Sequence, residues 1–360
     1  MTHLHKQGRT LARRVWRDGL ALAMALWLAA VAVAAPAACT VDMPEAPAPG
    51  AAMGVAQWIA RMQRASLSRD YSGTFMVLSG NGAMASSRIW HVCEGPRQVE
   101  RIEALSGAPR VVYRRDGEVR TFLPQARLVR NEMRDGAGLF PRVSNAGGVS
   151  PASHYTVETA GQERVAGLAA DVLTFIPRDA WRFGYRIWAE HESGLAVKLQ
   201  TLDAAGRVLE QAAFSELTMR SPMELQPLLD MMDDLAGYRV VTAPLARTTA
   251  QAEGWRMRAV VDGFVAQGCY KKQGAGQAGQ PPRTVLQCIY SDGLATLSVF
   301  LEPYGAARHP QGGRRLASMG ATQVLGQKVD VDTWATAVGE VPLPTLQRFV
   351  DGLERIGSAP

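Results

Sequence analysis

The sequence predicts a mainly β fold with helices: a curved antiparallel sheet or open barrel, followed by a smaller β-rich region with its own helix. Three observations carry this. Short runs rich in β-branched and aromatic residues recur through 71–132 and 155–217, punctuated by Gly, Asn and Asp, as in a long meander. Helical periodicity is confined to three stretches, so the strand and helix alternation of an α/β design is missing. The chain has 360 residues, 47% hydrophobic and 20% charged, an ordinary globular composition with length for two domains.

The N-terminus is read apart from the fold. Lys6, Arg9, Arg13, Arg14 and Arg17 precede a seventeen-residue apolar run, Gly19 to Ala35, and small residues lead from there to Cys39. This is the pattern of a secretory signal peptide over 1–38, cleaved near residue 38. The run is shorter than the ~20 residues that cross a bilayer comfortably; an uncleaved anchor is the alternative. Cys39 after small residues also fits a lipidated N-terminus, although Pro36 stands where such signals usually carry Leu. From Cys39 onward 34 basic residues face 32 acidic ones. A body so nearly neutral lacks the excess of Lys and Arg that nucleic-acid binding requires.

Residues 39–52, rich in Pro and Ala, form a tether. A first domain spans 53–236. It opens with an amphipathic helix, because Val55, Trp58, Ile59 and Met62 fall at i, i+3, i+4 and i+7. Strands follow, with Asp116-Gly117 as a two-residue hairpin turn. Ser221-Pro222-Met223-Glu224 reads as a capping box opening a helix over 222–236, stopped by Gly237. Residues 237–253 carry little pattern and are assigned as a linker. The second domain, 254–360, has strands up to Thr333–Gly339 and a closing helix after Pro344, with Leu346, Phe349, Val350, Leu353 and Ile356 as its apolar stripe.

The chemistry of catalysis is missing. No GxSxG, SxxK, HExxH or Walker loop occurs, no metal is expected, and no cofactor is implied. Gly274–Gly279 satisfies GxGxxG, but Pro281-Pro282 follows instead of a helix, so the segment is a hairpin loop. His91 and Cys93 share a strand face as core or cavity neighbours. In an oxidising compartment Cys269 and Cys288 can pair, since each lies in a β-patterned run beside that loop. Cys39 is then a flexible or lipidated thiol and Cys93 a reduced, partly buried one.

The anomaly is apolar sequence on both faces of the strands. Phe75-Met76-Val77-Leu78, Val111-Val112-Tyr113, Val172-Leu173 and Ile187-Trp188 allow no solvated side. One face packs on helices. The other is a filled core or a cavity for an acyl chain, with Phe75, Val77, Ile89, Val112, Phe122, Leu173 and Ile187 as the candidate lining.

The order of motifs resembles a known family. Tyr71-Ser72-Gly73-Thr74-Phe75, Arg88-Ile89-Trp90-His91, Phe122-Leu123-Pro124, Arg182-Phe183-Gly184-Tyr185-Arg186-Ile187-Trp188, Tyr290-Ser291-Asp292-Gly293-Leu294 and Val338-Gly339-Glu340-Val341-Pro342 follow one another as in the RseB/MucB periplasmic regulators of the sigma-E envelope-stress response. The resemblance implies an unclosed antiparallel β-barrel wrapped on helices, similar to lipoprotein carriers, and a smaller β-rich α+β C-terminal domain. It implies a periplasmic binding protein and no enzyme. The implied partner is the periplasmic segment of a transmembrane anti-sigma factor, shielded from proteolysis and released on a lipid, lipoprotein or lipopolysaccharide signal. Large apolar residues near a turn can anchor such a peptide, which nominates Tyr290, Leu294 and Phe300 as contacts. The alternative is a periplasmic lipoprotein carrier or lipid shuttle, for which the first domain alone would suffice; self-association is left open.

Overall fold

The structure, a computed structural model, describes residues 53–133, 150–242, 246–258, 260–274, 283–306, 308–309 and 313–356. The expected leader and tether, most of the 134–152 loop and most of the GxGxxG segment lie outside the described residues. The described residues belong to one compact unit built around two large sheets.

Helix α1 (Val55–Ser68) is the first element of the described residues, with the Gly54 N–H donating to Gln57 Oε1 at 2.8 Å. Five antiparallel hairpin steps then lay down β1 (Tyr71–Ser79), β2 (Met84–Glu94), β3 (Arg97–Ala104), β4 (Val111–Arg115), β5 (Glu118–Leu123) and β6 (Leu128–Met133). After the loop come β7 (Tyr155–Val165), β8 (Leu168–Pro177), β9 (Gly184–Glu190), β10 (Ala196–Leu202) and β11 (Val208–Thr218), then helix α2 (Leu225–Asp233) and β12 (Arg239–Thr242). Because β11 pairs with β1, the two meanders join into a single twelve-stranded sheet ordered β12-β6-β5-β4-β3-β2-β1-β11-β10-β9-β8-β7. Its ends do not pair, so the barrel is unclosed. Edge strand β7 is blunted by an irregularity between Thr159 and Gln162 and by exposed Glu158, Glu163 and Arg164, devices that discourage pairing with another chain.

The smaller sheet contains β13 (Ala246–Thr248), β15 (Val265–Gly274), β16 (Arg283–Ser291), β17 (Thr296–Pro303), β18 (Arg315–Met319), β19 (Thr322–Asp330) and β20 (Thr333–Gly339), ordered β13-β15-β16-β17-β20-β19-β18. Helix α3 (Leu343–Asp351) covers one face through Leu346, Phe349 and Val350. A separate two-stranded ladder joins β14 (Trp255–Met257) to β21 (Leu353–Arg355).

Four local expectations are corrected. Helix α2 begins at Leu225, with Glu224 as its N-cap; the Ser221 hydroxyl accepts the Met223 N–H at 3.2 Å and so stabilises a turn ahead of the helix. Helix α3 ends at Asp351, and Leu353 belongs to β21 rather than to the helical stripe. The segment assigned as a linker supplies an edge strand to each sheet, β12 and β13. Their side chains are mostly exposed, so no alternation marks them. Strand β18 escaped notice for the same reason, all five of its residues being exposed.

Cys269 and Cys288 face each other across β15 and β16 and are bonded, with S–S 2.01 Å. Cys93 is not a reduced thiol: it is disulfide-bonded. Replacing Cys269 and Cys288 together by Ala should lower the stability of the smaller sheet by about 3 kcal/mol, since the bond closes a loop of moderate length in the unfolded chain. A denaturant melt with an unchanged midpoint would refute this.

Candidate functional site

The register of the ladders decides which of the seven candidate cavity residues share a face. Directly paired residues lie on the same side, so Ile89, Ile102 and Val112 form one row, two residues away from Phe75, and Val77, Ala212, Leu199, Ile187 and Leu173 form another. Six of the seven therefore share one face. Phe122 is the correction: Val112 pairs with Thr121, so Phe122 points to the opposite face. There its ring meets Tyr113 at 5.4 Å and Tyr238 at 5.3 Å, in the cluster closed by Met232 of α2.

The shared face is filled in two places. Leu173 and Ile187 pack with Val55, Trp58 and Ile59 of α1, which is why that helix carries its apolar residues at this spacing. Phe75 and Ile89 pack with Tyr71, Phe214 and Leu217. Val77 and Val112 are half-buried, and Val77 rests on the Phe75 cluster. His91 is a core histidine, stacked on Tyr71 with its Nδ1 2.8 Å from the Arg69 carbonyl.

The three residues nominated in the second domain have different surroundings. Tyr290 is buried on the core face of the smaller sheet, its ring 4.9 Å from that of Phe349, and burial pushes its phenol up. Phe300 is half-buried on the other face, in a row with Gln287 and Thr336. Leu294 leaves its own sheet and is buried in the cluster of Tyr155, Leu173, Phe175, Tyr185 and Ile187 beneath the larger one.

That insertion marks the contact between the two sheets, and its centre is a pair of residues the sequence analysis did not join. Arg182, in the turn between β8 and β9, and Asp292, in the turn between β16 and β17, have fully buried side chains. Arg182 Nε donates to Asp292 Oδ2 at 2.6 Å. Its other two nitrogens donate to the Asp179 carboxylate and the Asp262 carbonyl, and the guanidinium lies 4.9 Å from the centre of the Phe264 ring. The Tyr155 hydroxyl donates to the same Asp292 oxygen at 3.3 Å. Burial holds the Tyr155 and Tyr185 phenols well above their ordinary range, so Tyr155 stays protonated as a donor. Asp292 Oδ1 turns inward and accepts the N–H groups of Leu294 at 2.9 Å and Ala295 at 2.7 Å.

One carboxylate thus shapes the turn that presents Leu294 and anchors that turn to the other sheet. Burying both charges is costly, and the cost is offset only because hydrogen bonds surround the pair; such an arrangement selects one docking geometry more than it adds net stability. Neighbouring contacts fit the same geometry. The Thr345 hydroxyl of α3 donates to the Trp181 carbonyl at 2.8 Å. Gly263, at φ +83°, leaves no room for a side chain: a Cβ there would lie 2.2 Å from His154 Nε2. Beside it opens a cleft of about 690 Å³ lined by Ser153, His154, Asp262, Gly263 and Phe264 among others. The clue available in sequence was a charged residue set among large apolar ones at each turn, Trp181-Arg182-Phe183 and Tyr290-Ser291-Asp292-Gly293-Leu294.

No group of three or more His, Cys, Asp or Glu able to hold a metal occurs among the described residues. Comparison with known proteins matches both parts of the chain to one family. The MucB/RseB N-terminal domain matches residues 54–232 and the MucB/RseB C-terminal domain matches 249–354. The sigma factor AlgU regulatory protein MucB of Pseudomonas aeruginosa is 32% identical over 302 residues, covering 82% of this chain and 90% of that protein. The sigma-E factor regulatory protein RseB of Escherichia coli is 22% identical over 297 residues, covering 82% of this chain and 88% of its own. Among solved structures, MucB in complex with MucA(peri) aligns with TM-score 0.62 and 28% identity over 84% of this chain and 98% of that one. The Pseudomonas aeruginosa MucA/MucB complex aligns with TM-score 0.64 over 84% and 99%. With both sheets matched in order by one family, this chain belongs to the MucB/RseB family of sigma-factor regulatory proteins.

Proposed function

We propose that this chain is a periplasmic negative regulator of a sigma-E-type envelope-stress response. It binds the periplasmic segment of a membrane-spanning anti-sigma factor and shields it from regulated proteolysis. The observation that carries this reading is the alignment with the MucB chain solved with MucA(peri), which takes in nearly all of that chain and therefore both sheets. A lipid shuttle would need the larger sheet alone. The test is binding of the full mature chain to the periplasmic segment of the anti-sigma factor from the same genome, by calorimetry; saturable one-to-one binding supports the reading, and absence of binding contradicts it.

Release on a lipid, lipoprotein or lipopolysaccharide signal completes the proposal. Its support is the apolar face shared by Phe75, Val77, Ile89, Val112, Leu173 and Ile187, where half-buried Val77 and Val112 leave the lining incompletely covered. Replacing Val77 by Asp should weaken binding of a fluorescent acyl-chain probe at least severalfold while the far-ultraviolet spectrum is kept. Global unfolding of that variant would favour a filled core instead.

A further inference from the structure

The division of labour at Asp292 goes beyond holding a turn. We propose that Arg182 and Asp292 form a latch between the two sheet modules, and that the chain exchanges between a latched state and an unlatched one in which Leu294 has left the larger module. Resting on the regulatory reading above, the latched state is the one that holds the partner.

Three observations support a latch rather than ordinary packing. The two oxygens of Asp292 serve different modules: Oδ1 bonds only its own turn, and Oδ2 meets only Arg182 and Tyr155 of the larger one. The turn is complete without the larger module, since the Ser291 hydroxyl accepts the Gly293 N–H at 3.0 Å and donates to the Ala295 carbonyl at 2.9 Å. Each core takes one large side chain from the other module, Leu294 in the larger and Trp181 against the smaller, and each core cluster is otherwise built from its own module. A buried ion pair is an all-or-none contact: once water reaches the charges their attraction falls steeply, and partial opening has little to hold it.

Asp292→Asn separates the two roles. The amide oxygen still accepts from Leu294 and Ala295, while an NH₂ group replaces Oδ2 and sets donor against donor at Arg182. Arg182→Lys is the second variant; it keeps the charge but cannot reach all three acceptors. Nitroxide labels at exposed Glu158 and Arg315 report the distance between modules by pulsed electron resonance. The full chain without partner should give a dominant distance with a minor longer one, and both variants should shift the balance to the longer distance with native circular dichroism. Affinity for the anti-sigma segment should fall between about 5- and 150-fold, the usual range for coupled sites. Distances unchanged from the parent in either folded variant would overturn the latch. So would unfolding of both variants, because complete modules joined by a latch survive its loss. If the parent chain fails to bind the segment, the regulatory reading fails while the distances still decide the latch.

Discussion

Replacing Phe349 by Ala should destabilise the smaller module by about 3–5 kcal/mol. Phe349 is fully buried on the inner face of α3, with its ring 5.8 Å from Phe264 and 4.9 Å from Tyr290. Its neighbours come from α3, from β16 and from the turn before β15, whose backbones are fixed separately by helix, ladder and turn hydrogen bonds. They cannot close over the void together, so the cavity cost adds to the lost transfer energy. The same change should loosen the Phe264 ring that lies against the Arg182 guanidinium. Equilibrium unfolding followed by tryptophan fluorescence, with Trp255 and Trp334 buried in this part of the chain, measures it. A loss below about 1 kcal/mol, the size of a mild core change, would contradict the packing described here.

Gly73→Ala should have an effect of similar size for a different reason. Gly73 lies in β1, next to the irregularity where β11 carries an extra residue opposite Thr74 and Phe75. A Cβ at this position would sit 2.3 Å from the Glu216 carbonyl oxygen and 3.2 Å from the Leu217 Cα. Both are backbone atoms and cannot rotate away. Overpacking of this kind costs about 1–3 kcal/mol in ordinary cores and more where backbone must move. The β1–β11 pairing is what joins the two meanders into one sheet, so loss of protection in amide exchange should begin along these strands. Unchanged exchange at Phe75 and Phe214 would refute the argument.

The fold was legible where burial imposes a pattern. Strands β1 and β5 were read to the residue from their β-rich composition and flanking turn residues, and α1 was placed by Val55, Trp58 and Ile59, because one buried face makes the helical period visible. The expectation that β1 has no solvated side fails, since Met76 and Leu78 are exposed. Edge strands β12, β13 and β18 were not, since exposure on both faces removes the alternation that sequence reading depends on. The face of the sheet was legible for residues linked by parity, and failed at Phe122, where only the register between β4 and β5 fixes the side. Gly73 was noticed as part of a motif, yet its meaning lies in the approach of β11, where it pairs with Leu217 far along the chain. The Arg182–Asp292 pair was invisible for the same reason: an ion pair across 110 residues leaves no local period. Tyr290 and Leu294 were nominated as partner contacts from their apolar character, and their burial directs them instead to Phe349 and to the core beneath α1.

In the function proposed above, this chain holds an anti-sigma segment away from a protease. The most direct test is the cleavage rate of that periplasmic segment by its initiating protease, measured with and without the full mature chain. With the chain present at about 100 times its dissociation constant, only about one segment in a hundred is free, and cleavage should slow roughly a hundredfold. Cleavage at the unprotected rate while the segment is fully bound would contradict the account.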